Sequence, residues 1–440
     1  MSPFFVPLSL LDELIYHRNF LKMKVFKFGG ASVKDAAGVI NTGSIICAEP
    51  DQLIVVVSAM GKTTDALVSV TRNYFDGNID EALQGIIKLK EGHLQIVSEL
   101  FESGNERLEC TLRDNFDALI KRMNIPPSLN YDFEYDQIVS TGEMVSTEIL
   151  ATYLNHLGKV TKWVDAGHYI RTNDTWREGE IDWSLTRKLL PQAFQFNENS
   201  VCLTQGFIGA TTFNLTTTLG REGSDYTAAI LANIMNAESV TIWKDVPGIM
   251  NADPHKYLRT FKLEKLSYRE AVEMTYYGAK VIHPKTMKPL VEKQIPLYVR
   301  SFIHPDEVGS MICNIDHPME YIPVFINKED QVLITVSPKD FSFIAEESIA
   351  NIYRLFSKFR MKVNLVQQSA MNFSLAIDRP ERDFEQMIHE LSEHFVVHYN
   401  DGLELLTIRY FTPEAVSEST VERTIYVEQR TRKTVRFLLK

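Results

Sequence analysis

Four cysteines in 440 residues, at Cys47, Cys110, Cys202 and Cys313, are too few and too widely spaced for a metal knuckle, a redox pair or a disulfide-framed secreted fold. Reduced thiols in a cytoplasmic protein are the simplest reading. No apolar run is long enough to span a bilayer, which excludes a helical membrane protein. There is no excess of basic residues either. The formal net charge of -11 argues against broad nucleic-acid binding, and no membrane partner is expected. The apolar stretch Phe4 to Leu11 has no basic region before it and runs into Asp12 and Glu13, so it is a poor secretory signal. Residues 1–22 read as an N-terminal extension of uncertain role.

The chain does carry elements suited to an anion, although each also reads as a plain glycine turn leading into a helix. In Thr216-Thr217-Thr218-Leu219-Gly220-Arg221-Glu222-Gly223-Ser224-Asp225, glycines, an arginine and a carboxylate meet at the start of an Ala-rich helix. Gly220 and Gly223 allow close backbone approach, and Ser224 suits a helix N-cap. The free N–H groups there favour an anion, and Arg221 suits a carboxylate gripped by two parallel hydrogen bonds. Near the start, Val25-Phe26-Lys27-Phe28 reads as a buried strand running into Gly29-Gly30-Ala31-Ser32. Backbone donors at the carboxyl edge of a sheet, with Lys27 as a point charge beside them, form a second anion-binding element. The lysine precedes the glycines, so this is not the G-x-x-x-x-G-K-[ST] nucleotide loop.

Val55-Val56-Val57-Ser58-Ala59-Met60-Gly61-Lys62-Thr63-Thr64 repeats the strand-to-loop design, and Ser140-Thr141-Gly142-Glu143 opens an amphipathic helix. Ser140 and Glu143 also fit the S-x-x-E capping box, in which Glu143 only satisfies the helix end. Gln205-Gly206-Phe207-Ile208-Gly209, Trp243-Lys244-Asp245-Val246-Pro247-Gly248-Ile249 with Asp253-Pro254, and Tyr277-Gly278-Ala279-Lys280 follow. Pro247-Gly248 suits a type II turn. Alternating strand and helix patterns between Ser32 and Gln205 predict an α/β fold, a largely parallel sheet covered by helices on both faces. Strands are expected near Leu53 to Ser58, Val160 to Val164 and Val201 to Thr204, with helices near Asp80 to Ser103 and Glu106 to Met123.

Taken in order, these motifs resemble aspartokinase, an enzyme of the amino-acid kinase family. The resemblance runs from about Met23 to His304 and implies a catalytic domain over 23–310. The reaction it implies is transfer of the ATP γ-phosphoryl group, with Mg²⁺, to the side-chain carboxylate of L-aspartate. That is the first step towards lysine, threonine and methionine. By the same resemblance Lys27 and Asp225 are catalytic and Gly29 and Gly30 donate to ATP. Arg221 and Thr218 hold the aspartate carboxylates, helped by the Thr64 and Ser58 hydroxyls. Glu143 pairs with the ammonium and Phe207 packs beside the substrate. Lys244, Asp245, Met250 and His255 surround adenine and ribose, and Lys280 approaches the phosphates. No protein metal cage is implied. The family usually has Thr at Ala31 and Gly at Glu222, and its lysine-sensitive members have Thr, Tyr and Arg at Lys244, Met250 and His255. Another amino-acid kinase substrate, or a weakly catalytic amino-acid sensor, are the competing readings.

Beyond Gln331 the order strand, helix, strand, strand, helix, strand resembles an ACT domain over 325–400, with a second, reduced ACT-like repeat over 401–440. This α+β region implies homodimer formation. Lysine-sensitive members contact lysine through a glycine-containing loop, whereas here the stretch Phe343-Ile344-Ala345-Glu346-Glu347-Ser348-Ile349 has no glycine and two carboxylates.

Overall fold

The computed structural model describes residues 23–196, 200–279, 282–315, 322–340, 342–380 and 383–440. The N-terminal extension and Lys280 lie outside the described residues. Two compact units are present. One comprises the chain up to Ile249 with Leu263–Val272 and Ile282–Ile315; the other comprises Met250–Lys262, Glu273–Val281 and Asp316–Lys440.

The first unit is built on an eight-stranded sheet. Its strands are β1 (Met23–Phe28), β2 (Gln52–Val57), β3 (Thr161–Val164), β4 (Val201–Gln205), β7 (Ser239–Lys244), β8 (Lys265–Ser267), β9 (Leu297–Ser301) and β10 (Ser310–Cys313), in the order β3-β4-β2-β1-β7-β9-β10-β8. A small hairpin, β5 (Ile208–Ala210) with β6 (Thr216–Thr218), stands apart from it. All contacts from β3 through to β9 are parallel, and the pairing of β10 with β9 is the antiparallel one. β2, Gln-Leu-Ile-Val-Val-Val, is buried from Leu53 to Val57 because a central parallel strand is covered on both faces. Beside it Phe28 stacks on Trp243 with ring centroids 5.8 Å apart, and Phe26 meets the same indole edge-on at 5.5 Å. Such a sheet offers ligands the loops beyond its carboxyl ends. Here those are Gly29-Gly30 after β1, Ser58-Ala59 after β2, Gly206-Phe207 after β4 and Asp245 after β7.

The helix Gly223–Met235 is Ala- and Ile-rich, and everything from Gly223 to Asn233 is buried, as befits a helix enclosed by the unit. The expected helices fall at Ile79–Leu100 and Glu106–Met123. Two more, Thr63–Phe75 and Tyr131–Val139, had no clear sequence signal. No described helix is long and apolar enough to cross a membrane.

The second unit holds a six-stranded antiparallel sheet: β11 (Val324–Pro338), β12 (Val363–Gln368), β13 (Phe373–Asp378), β14 (Phe395–Arg409), β15 (Ile425–Arg430) and β16 (Thr434–Leu439), in the order β12-β13-β11-β14-β16-β15. The helices Glu346–Lys358 and Phe384–His394 pack Ile352, Phe356, Met387 and Leu391 on Val332, Ile334, Leu375 and Ile377. This is the expected ACT-like α+β arrangement. Two details differ. β11 begins before Gln331, and its first residues, Val324 to Lys328, pair with Arg409 to Leu405, so the later strands share one sheet with the earlier ones. A short helix, Pro413–Thr420, also occupies what reads as a simple connection; Thr412 caps it by accepting from the Ala415 N–H.

Candidate active site

The site is built from loop ends that only small residues permit. A Cβ on Gly30 would stand 2.7 Å from the Ala59 carbonyl oxygen and 2.8 Å from that of Gly61, so the first two loops touch backbone to backbone. A Cβ on Gly206 would meet the Ser224 Cα at 2.7 Å, which lets the β4 loop lie directly on the start of the helix Gly223–Met235. Gly223 in turn leaves room for the Phe207 ring, whose Cδ2 would be 2.7 Å from an added Cβ. Phe207 takes φ +68°, and its N–H donates to the Thr227 hydroxyl at 3.0 Å.

Into this frame project the charged groups. Lys27 Nζ lies 2.7 Å from Asp225 Oδ1, with the lysine side chain 12% exposed and the aspartate 4%. The same ammonium sits over Gly29, whose hypothetical Cβ would be 3.5 Å from it. Ser58 Oγ donates to Ser224 Oγ at 3.0 Å, and Ser146 Oγ to the Ser58 carbonyl at 2.7 Å. Lys27, Gly29, Gly30, Ser58, Phe207 and Asp225 are thus brought together.

Glu143 completes the cluster and does not cap its helix. Ser140 has helical angles, φ -57° and ψ -23°, because the preceding helix runs directly into Thr141–His156, and its side chain makes no capping bond. Glu143 is 2% exposed, and its Oε2 has no hydrogen-bond partner. Burial pushes its carboxyl up to about 8, against the opposing pull of the Ala59 N–H and the Lys27 ammonium. A buried carboxyl with an idle oxygen beside a lysine is equipped to receive another cation.

Other expected residues are placed differently. Ser224 does not cap: Glu222, at φ +54°, holds the N-cap position, and Ser224 gives its oxygen to Ser58 instead. Glu222 puts no loose charge into the site, since its Oε2 accepts the His283 N–H at 2.8 Å. Arg221 is exposed on the intervening turn, and Thr64 is half-buried in the first turn of the helix Thr63–Phe75. Thr218 is fully buried, and its hydroxyl donates to Asp136 Oδ1 at 2.6 Å, so it has no proton left for a substrate carboxylate. Lys244 ends β7 and Asp245 follows it, whereas Met250 and His255 belong to the second unit. Asp136 itself went unnoticed in the sequence. The Asn130 cap that opens its helix was the available signal, masked by the run of acidic and aromatic residues that follows.

The profile of the amino acid kinase family matches residues 22–301. This chain is a member of the amino acid kinase family. It is 29% identical to lysine-sensitive aspartokinase 3 of Escherichia coli over 87% of this chain and 86% of that one. To a chloroplastic bifunctional aspartokinase/homoserine dehydrogenase 2 of Arabidopsis thaliana it is 28% identical over 84% of this chain, which spans 42% of that longer protein. The crystal structure of E. coli aspartokinase III in complex with aspartate and ADP superposes with a TM-score of 0.78 at 27% identity, covering 95% of this chain and 96% of that one. The resemblance to aspartokinases, and the fold class drawn from it, are borne out.

Proposed function

We propose that this amino acid kinase is an aspartate kinase, moving the γ-phosphoryl group of ATP onto the side-chain carboxylate of L-aspartate to give 4-phospho-L-aspartate and ADP. The observation that carries the reading is the buried Glu143 carboxyl, with its unpartnered Oε2, beside the Lys27–Asp225 pair and the Gly29-Gly30 loop. A substrate carrying both an ammonium and a carboxylate suits that combination.

In the reaction a carboxylate oxygen attacks the γ-phosphorus, the new C–O–P link forms, and the bond to the β-phosphate oxygen breaks. The nucleophile is already ionised at neutral pH, so no general base is needed. Catalysis is positioning and charge neutralisation. Asp225 holds the Lys27 ammonium over Gly29, where it stabilises charge on the phosphoryl group in flight while the backbone of Gly29 and Gly30 donates to the phosphates. Glu143 receives the substrate ammonium, Arg221 its α-carboxylate, and Phe207 flanks it. Lys244 and Asp245, at the carboxyl end of β7, stand on the nucleotide side.

Among the described residues no group of three His, Cys, Asp or Glu side chains could hold a metal ion. Mg²⁺ is held mainly by nucleotide oxygens and water with one or two carboxylates. Asp225 would supply such a carboxylate, and the ion would neutralise phosphate charge. The domain limits 23–310, 325–400 and 401–440, a homodimer through the ACT-like region, and a cytoplasmic location complete the proposal.

Purified protein incubated with Mg-ATP, L-aspartate and hydroxylamine is expected to yield aspartyl hydroxamate at a rate matching ADP release. A folded protein that gives no hydroxamate with aspartate would sink the assignment, and failure with glutamate and carbamate as well would sink any kinase reading.

A further inference from the structure

The proposed reaction makes no use of Asp136, yet its buried carboxylate accepts hydrogen bonds from two separate chain segments. It is 0% exposed on the helix Tyr131–Val139. Its Oδ1 accepts the Thr218 hydroxyl at 2.6 Å, and its Oδ2 accepts the Arg177 N–H at 2.9 Å. The Thr218 N–H also donates to this carboxylate. Its neighbour Gln137 donates from Nε2 to the Thr216 carbonyl at 2.8 Å, so one turn of helix grips both ends of β6.

A second chain segment closes the clasp. Arg177 adopts φ +66°, uncommon for a residue with a side chain, and in that conformation its N–H meets Asp136. Its guanidinium lies 4.5 Å from the Tyr135 ring centroid and bonds Asp132 at 3.1 Å, both on Asp136's own helix. Two residues on, the Gly179 N–H donates to the Thr218 carbonyl at 2.8 Å. Every polar group of Thr218 is therefore assigned. β6 leads within three residues to Arg221, across Gly220 at φ +76°, where an added Cβ would be 3.2 Å from the Arg177 carbonyl oxygen.

We infer that Asp136 is a positioning residue for the amino-acid substrate: by fastening Thr218 and the Arg177–Gly179 segment together, its carboxylate sets where the Arg221 turn stands. Asp136 touches no reacting atom. The inference rests on the aspartate kinase reading, in which Arg221 grips the substrate. The Lys27–Asp225 pair and the Gly29-Gly30 loop are held by other elements, so the effect falls on the amino acid and leaves the nucleotide alone.

Asp136→Asn keeps the shape but turns one acceptor into an NH₂ group facing an N–H donor, and Thr218→Val removes the hydroxyl. Steady-state hydroxamate assays should show the KM for aspartate raised tenfold or more in each, with kcat and the KM for ATP within threefold of the parent. The double variant should be little worse than the worse single, because both changes loosen the same clasp. Calorimetric titration with L-aspartate should show the same weakening without turnover. If the parent enzyme makes aspartyl phosphate and both variants fold yet keep its KM for aspartate, the inference is wrong while the activity stands. Equal loss in both KM values, or a lower melting temperature alone, would also overturn it by showing a merely structural role. Should Asp136→Asn not fold, Thr218→Val decides. A parent enzyme inactive on aspartate takes both readings down together.

Discussion

If Glu143 receives the substrate ammonium, aspartate binding must depend on pH in a calculable way. Burial lifts this carboxyl from an ordinary 4.5 to about 8. At pH 7 most unliganded molecules then hold it protonated, and ionising it costs on the order of 1 kcal/mol, about a factor of ten in affinity. The ammonium favours the ionised form, so the pKa falls on binding and a proton leaves. The sign follows: affinity is gained as pH rises and levels off above 8. The KM for aspartate should fall about ninefold from pH 6 to 7 and about fivefold from 7 to 8. Calorimetry in two buffers of different ionisation enthalpy should count close to one proton released per aspartate bound at pH 7. Glu143→Gln should flatten the profile while weakening binding throughout. A KM for aspartate constant between pH 6 and 8 in the parent protein, with no proton release, would refute the assigned role.

Lys27→Ala should lower kcat by about 10²–10³, the cost of removing one preorganised transition-state partner, and leaves Asp225 buried without its cation. Stopped assays at saturating substrates check this, and a loss below tenfold in folded protein contradicts it. Gly206→Ala must displace Ser224, since the new Cβ would lie 2.7 Å from its Cα. We expect about 1–3 kcal/mol of destabilisation, seen as a lower melting temperature, together with a large loss of turnover as Asp225 leaves Lys27. Lysine and threonine should inhibit weakly or not at all, because the stretch Phe343 to Ile349 offers carboxylates and no glycine; sub-millimolar sigmoidal inhibition by either would contradict this.

What could be read from the sequence was whatever local chemistry dictates. The Val-rich β2, the glycine pair after β1 and the Ala-rich helix after Gly223 each carry their own signature, and the partnership of Lys27 with Asp225 followed from the motif order. What escaped depends on distant partners. Ser224 has the right residue type for a cap, but Ser58, 166 residues away, claims its oxygen. Glu222 stands where the family usually has Gly, and its partner, the His283 N–H, lies 61 residues away. The first part of β11, with Asn327, Lys328, Glu329 and Asp330, is too polar to read as a strand, and its pairing with β14 comes from residues some eighty positions later.

That pairing bears on the order in which the second unit can be assembled. β16 is made last of its six strands, yet it lies inside the sheet between β14 and β15, and all six of its residues are buried. During synthesis β14 must therefore wait with an unsatisfied edge, and β15 has no place to dock until β16 has emerged from the ribosome. The strands of the first unit are all translated by then. A nascent chain will consequently present a finished kinase sheet attached to an open, adhesive half-sheet, and late stalling or frameshifts near Thr434 should yield protein that aggregates rather than an unregulated enzyme.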